Sequence, residues 1–120
     1  MLLDTFYNIE SIECAETSID SRIILNIKHP VYKGHFPHQA VVPGVCMMQI
    51  VAELTSVALK KELALMGANQ AKFLIPILPE KHPKLNVKVK YSVELNGNIK
   101  ITGSIYAEEL TFFKLKGVLG

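Results

Sequence analysis

Polar and apolar residues alternate along most of this chain. The clearest run is Leu85, Val87, Val89, Tyr91, Val93 and Leu95, interleaved with Asn86, Lys88, Lys90, Ser92 and Glu94. It predicts a strand with one face buried and the other in water. Asn96-Gly97 follows, the pair favoured in a two-residue type I′ hairpin, and Ile99, Ile101 and Ile105 resume the alternation on a returning strand. Glu108-Glu109 predicts another tight connection, with Leu110 to Leu119 as a last strand. Nearer the N-terminus, Phe6 to Glu13 and Ser18 to Lys28 predict a further pair, and Ala71 to Pro76 a short strand ended by Pro76 and Pro79.

One stretch breaks the period of two. From Gly44 to Leu65 the pattern is helical, with a glycine cap expected at Gly67. The first turns are apolar nearly all round, through Val45, Cys46, Met47, Met48, Ile50, Val51, Ala52 and Leu54, so this helix is buried on most sides. A single buried helix among about six antiparallel strands predicts an α+β domain in which a curved sheet wraps the helix. At 120 residues the chain is one domain, 1–120, with room for one core.

Composition narrows the function classes. The chain is 49% hydrophobic and 20% charged, with a net charge of +2, and its lysines are distributed along the strands, which argues against nucleic acid as a partner and leaves an acidic protein open. The apolar run Val45 to Leu59 is interrupted by Gln49, Glu53, Thr55 and Ser56, so no membrane span is expected. The opening MLLDTFYNIE has no basic region ahead of an apolar run and does not read as a signal peptide. Two cysteines, Cys14 and Cys46, make no disulfide framework, and a reducing, cytoplasmic setting is expected.

The chemistry lies between the regular elements. HPVYKGHFPHQAVVPGV, from His29 to Val45, delivers a histidine to the start of the buried helix. There Gly44 offers unpaired backbone N–H groups and the positive end of the helix dipole to a carbonyl oxygen gaining charge. His35 has the side chain suited to take a proton from carbon near neutral pH. These are parts for thioester or enolate chemistry.

GHFP, five residues, then PGV resembles the signature of the 3-hydroxyacyl-[acyl carrier protein] dehydratases of the hotdog fold, whose members typically read GHFPGxPxxPGVxxxEAxAQ. KFLIP at 72–76 and the Asn96-Gly97 turn extend the likeness over nearly the whole chain. The resemblance implies a hotdog fold and a role in fatty acid or polyketide biosynthesis. It makes His35 the base acting at C2 of the acyl chain, and Gly44 the backbone N–H that polarises the thioester carbonyl. Phe36, Val45, Met47 and Met48 then belong to the acyl site. The substrate it implies is a thioester of acyl carrier protein or CoA, with no dissociable cofactor and no metal. It also implies a homodimer or higher oligomer, in which the histidine of one subunit faces the helix of the other.

The departures are specific. Gln49 stands where the family places its catalytic carboxylate, and Glu53 where glutamine is usual; His38 replaces a glycine and Ala40 a proline. A carboxamide cannot give a proton to a leaving hydroxyl, a service worth ~10²–10⁴-fold. Glu53 lies one turn on, displaced by roughly 6 Å along the helix. Three readings follow: a dehydratase using Gln49 and a displaced Glu53, a thioesterase on the same fold, or an impaired acyl-binding subunit that pairs with a carboxylate-bearing paralogue. Outside the motif, His29, His38 and His82 read as ordinary hydrogen-bonded side chains, and Cys46 as a small buried hydrophobe.

Overall fold

The computed structural model describes residues 1–34 and 38–120. Its elements run β1 (Tyr7–Cys14), β2 (Ser18–Leu25), α1 (Val31–Gly34), α2 (Gly44–Leu59), β3 (Leu65–Phe73), β4 (Lys84–Val93), β5 (Ile99–Ala107) and β6 (Leu110–Leu119). The strands make one sheet in the order β1-β2-β4-β5-β6-β3, with every neighbouring pair antiparallel. The α2 helix lies against one face of this sheet. The architecture is the expected hotdog fold.

Period-two alternation becomes burial directly. In β4, Leu85, Val87 and Val89 point into the core, and in β5 Ile99, Ile101 and Ile105 do. Met47, Ile50, Val51 and Leu54 of α2 pack against them. The helix comes close to β5 at Gly103, where an added Cβ would lie 2.9 Å from Val51 Cγ1. Any larger residue there pushes helix and sheet apart.

Three local expectations are corrected. The helix ends at Leu59 instead of Leu65, and its cap is Lys60, held at φ 55°. The Ser56 hydroxyl lies within hydrogen-bond reach of Ala52 O and Leu63 O and accepts from Leu63 N–H, so the chain is drawn back before the periodic residues Leu63 and Leu65 can extend the helix. Residues 64–73 instead pair with β6, beginning at reciprocal Ala64–Gly120 bonds of 3.0 Å. Sheet pairing outweighs helical periodicity here, and Gly67 becomes a residue of β3 at a shift of register.

The turn at Asn96-Gly97 is also longer than a type I′ hairpin. Glu94 and Asn98 pair around three residues, Gly97 N–H returns to Glu94 O, and Gly97 is at φ 90° while Asn96 has a negative φ. A type I′ turn needs positive φ at both central residues, whereas a three-residue loop needs one residue in the left-handed region. Glu108-Glu109 is the expected two-residue connection, closed by Ala107 opposite Leu110.

The third correction concerns charge. Lysines spread along the sequence converge in space, because Lys88 and Lys90 of β4, Lys100 of β5, Lys114 and Lys116 of β6 and Lys72 of β3 share the face turned away from α2.

Candidate active site

Pro43 precedes α2 in extended conformation and provides no side-chain cap. The N–H groups of Cys46 and Met47 turn back to Pro43 O, which leaves Gly44 at the open, positively polarised end of the helix. The Phe73 ring lies against this end, so that an added Cβ at Gly44 would meet Phe73 Cε1 at 2.9 Å. Val41, Val42, Gly44, Met47, Phe73 and Ile75 line an apolar hollow of about 280 Å³ there. Its chemistry suits an acyl chain whose polar head reaches a backbone N–H.

A second hollow, of about 570 Å³, opens along the other half of α2 and is lined by Gln49, Glu53, Ser56, Val57, Lys60 and Leu63 among others. Glu53 is 3% exposed, and a polar group this deep needs hydrogen-bond partners. It has four. Oε2 accepts from Leu2 N–H at 2.8 Å and from Gln49 Nε2 at 2.8 Å; Oε1 accepts from Leu3 N–H at 2.9 Å and from the Tyr7 hydroxyl at 3.0 Å. Burial, then the charge of Glu53, pushes the Tyr7 phenol far above its ordinary value, so Tyr7 keeps its proton and donates it as a hydrogen bond to the carboxylate. The same set of bonds fixes the Gln49 amide: its nitrogen faces Glu53, and its oxygen is left to accept a hydrogen bond from elsewhere.

The predicted residues are thus divided. Gly44 and Met47 meet at the apolar hollow, and Gln49 and Glu53 meet at the larger one. Met48 is half-buried against the core, and Val45 projects outward at 75% exposure. His35 and Phe36 lie outside the described residues. Cys46 is buried, and burial followed by the Glu53 charge pushes its thiol up, which keeps it protonated and unreactive. His29 accepts from Val31 N–H at 3.1 Å and stacks edge-on to Phe6, and His82 stacks in the same way on Phe112. Sequence reasoning missed Phe73 and Tyr7. Phe73 belongs to an exposed strand without alternation, and nothing in the sequence pairs Tyr7 with a helix residue 46 positions away.

Comparison with known proteins sets this geometry among relatives. The family model described as ApeI-like, ApeI dehydratase, matches residues 11–106. The 3-hydroxyacyl-[acyl-carrier-protein] dehydratase FabZ of Thermotoga neapolitana is 30% identical over 113 residues, spanning 91% of this chain and 81% of its own length. The FabZ of Myxococcus xanthus is 34% identical over 74 residues, 54% of this chain and 48% of its own, so with some relatives the likeness spans about half their length. Among solved structures, the dehydratase heterocomplex ApeI:P from Xenorhabdus doucetiae shares the fold with a TM-score of 0.71 at 20% identity, over 92% of this chain and 95% of that one. The putative thioesterase yhdA of Lactococcus lactis does so with a TM-score of 0.70 at 15% identity, over 94% and 91%.

Proposed function

Since this chain belongs to the ApeI-like dehydratases of the hotdog fold, we propose that it binds 3-hydroxyacyl or enoyl thioesters of acyl carrier protein or CoA and supplies the base half of a dehydration site, the proton donor being contributed by a second, carboxylate-bearing subunit. The observation that carries this reading is the saturation of Glu53. With two hydrogen bonds to each oxygen, two of the four from backbone N–H groups, its carboxylate has no free position from which to act as an acid.

On this reading the thioester carbonyl oxygen rests at the start of α2, where Gly44 N–H and the helix dipole stabilise the negative charge that builds as His35 removes the C2 proton. The C2–C3 double bond then forms as the C3–O bond breaks, and the departing hydroxyl must gain a proton to leave as water. Gln49 can orient that hydroxyl through its free amide oxygen but cannot protonate it. The Met47 and Phe73 side chains hold the acyl chain in an apolar hollow.

A second subunit is favoured by what the surface leaves uncovered. The β3 strand is an edge, exposed along nearly its whole length. Met66, Phe73 and Leu74, on or beside it, are at least half exposed, as is Val45, next to Gly44 in the chain. An unpaired edge flanked by large apolar side chains is a template for another chain. The Xenorhabdus relative is a heterocomplex, which agrees with pairing to a paralogue.

The test is the hydration of an enoyl-acyl carrier protein by the purified chain. Wild type is expected to be slow, and Gln49→Glu, which restores the family's carboxyl at this position, to be faster by about 10²–10⁴-fold. Wild-type turnover at a rate that Gln49→Glu does not raise, or hydrolysis without hydration, would sink the proposal.

A further inference from the structure

The face of the sheet turned away from α2 carries a concentration of charge that the thioester site does not use. At its β1 side, Arg22 and Lys84 share Glu10 at 3.8 and 3.3 Å, and Lys88 meets Asp20 at 3.8 Å. Beyond Lys88, among the described residues, Lys72, Lys90, Lys100, Lys114 and Lys116 have no acidic partner within 4.0 Å. These five lysines and Lys88, taken with Asp20, give the patch a charge of +5, while the remaining seven basic and ten acidic residues leave the rest of the chain at −3. A net charge of +2 therefore conceals a segregated molecule.

Strand register makes the patch dense. Lys72 stands directly opposite Lys114 across the β3–β6 pair, a like-charge arrangement that costs stability. Lys88, Lys90, Lys114 and Lys116 together rim one hollow of about 470 Å³, with Thr102, Ser104 and Gln70 between them. Lys90, Lys100 and Lys116 rim a neighbouring one of about 270 Å³. Ammonium groups around hollows that also offer hydroxyl and amide groups are built for carboxylates that project from a partner.

We propose that this face docks an acidic helical segment of a partner protein. Three strand spacings separate β4 from β3, roughly 15 Å, which accommodates one helix of about 10–12 Å diameter. The patch is bounded by exposed acids, Asp20 on one side and Glu94, Glu108 and Glu109 at the strand ends. A nucleic acid or a bilayer, being an extended polyanion, would run onto these acids, whereas a single acidic helix stays within the cationic area. No large apolar side chain stands out from the described residues of the patch to enter a lipid surface. The proposal rests on the sheet alone and is independent of the chemistry at α2.

It is tested with a fluorescein-labelled, 16-residue helical peptide bearing glutamates at i, i+3, i+4 and i+7 spacing, titrated at 50 and 200 mM NaCl against the full chain. Saturable binding that weakens with salt is expected, reduced about tenfold or more in Lys90→Glu/Lys116→Glu and unchanged in Lys28→Glu/Lys81→Glu, whose lysines lie off the patch. Because the substituted lysines are exposed and relieved of mutual repulsion, the patch variant should melt no lower than wild type. Absence of wild-type binding overturns the proposal, as does equal loss in both variants. Tighter binding to vesicles of anionic phospholipid or to a 20-base-pair DNA duplex than to the peptide overturns it as well.

Discussion

Each oxygen of the Glu53 carboxylate accepts two hydrogen bonds, from α2 itself and from the chain entering β1. Position in the sequence made Glu53 a candidate acid displaced by one turn, yet most of the residues that engage it are far away in the chain. No local pattern carries that information. The polarity of Gln49 and Glu53 inside an apolar helix was legible; their bond to each other is legible too, from the spacing of four. The N–H groups of Leu2 and Leu3 were not. If Glu53 anchors the N-terminal segment, Glu53→Gln should lose about 3 kcal/mol, because an amide cannot accept from four donors and presents hydrogens of its own to two of them. Thermal unfolding should then fall by on the order of 10 °C. An unchanged melting temperature would speak against the anchoring role.

Among the elements, those with one wet and one dry face were legible, because alternation is written into them: β2, β4, β5 and β6 follow it over most of their length. The β3 strand was misplaced because it has no dry face, so neither period marks it and its pairing with β6 decides its extent. The same competition sets the end of α2, where Ser56 and a left-handed Lys60 turn the chain toward that pairing. Helix and sheet come close at Gly103, where an added Cβ would meet Val51 at 2.9 Å. Gly103→Ala should therefore cost about 2 kcal/mol, read as a lower urea midpoint at unchanged slope. Gly67→Ala makes the comparison, since an added Cβ there meets nothing within 4 Å. Equal effects of the two would show that Val51 yields and that the helix is not seated as closely as the structure has it.

For the whole molecule, the motif from Gly34 to Val45 indicated both fold and family, and the family is borne out by a match over residues 11–106 and by a relative at 30% identity. What one chain's sequence leaves open is the composition of the site. Gly44 and Gln49 line different hollows of the same subunit, and the apolar residues beside β3 face outward, so the proposed function depends on a second chain. Subunit mixing addresses this directly. The double variant His35→Ala/Gln49→Glu has the carboxylate without the base, and wild type has the base without the carboxylate. Assayed separately for enoyl thioester hydration, each should be slow; mixed and allowed to exchange subunits, they should show activity that neither has alone, since one pairing brings His35 of one chain to the introduced carboxylate of the other. A mixture no faster than its components, with Gln49→Glu alone fully active, would contradict the account and place the whole site within a single chain.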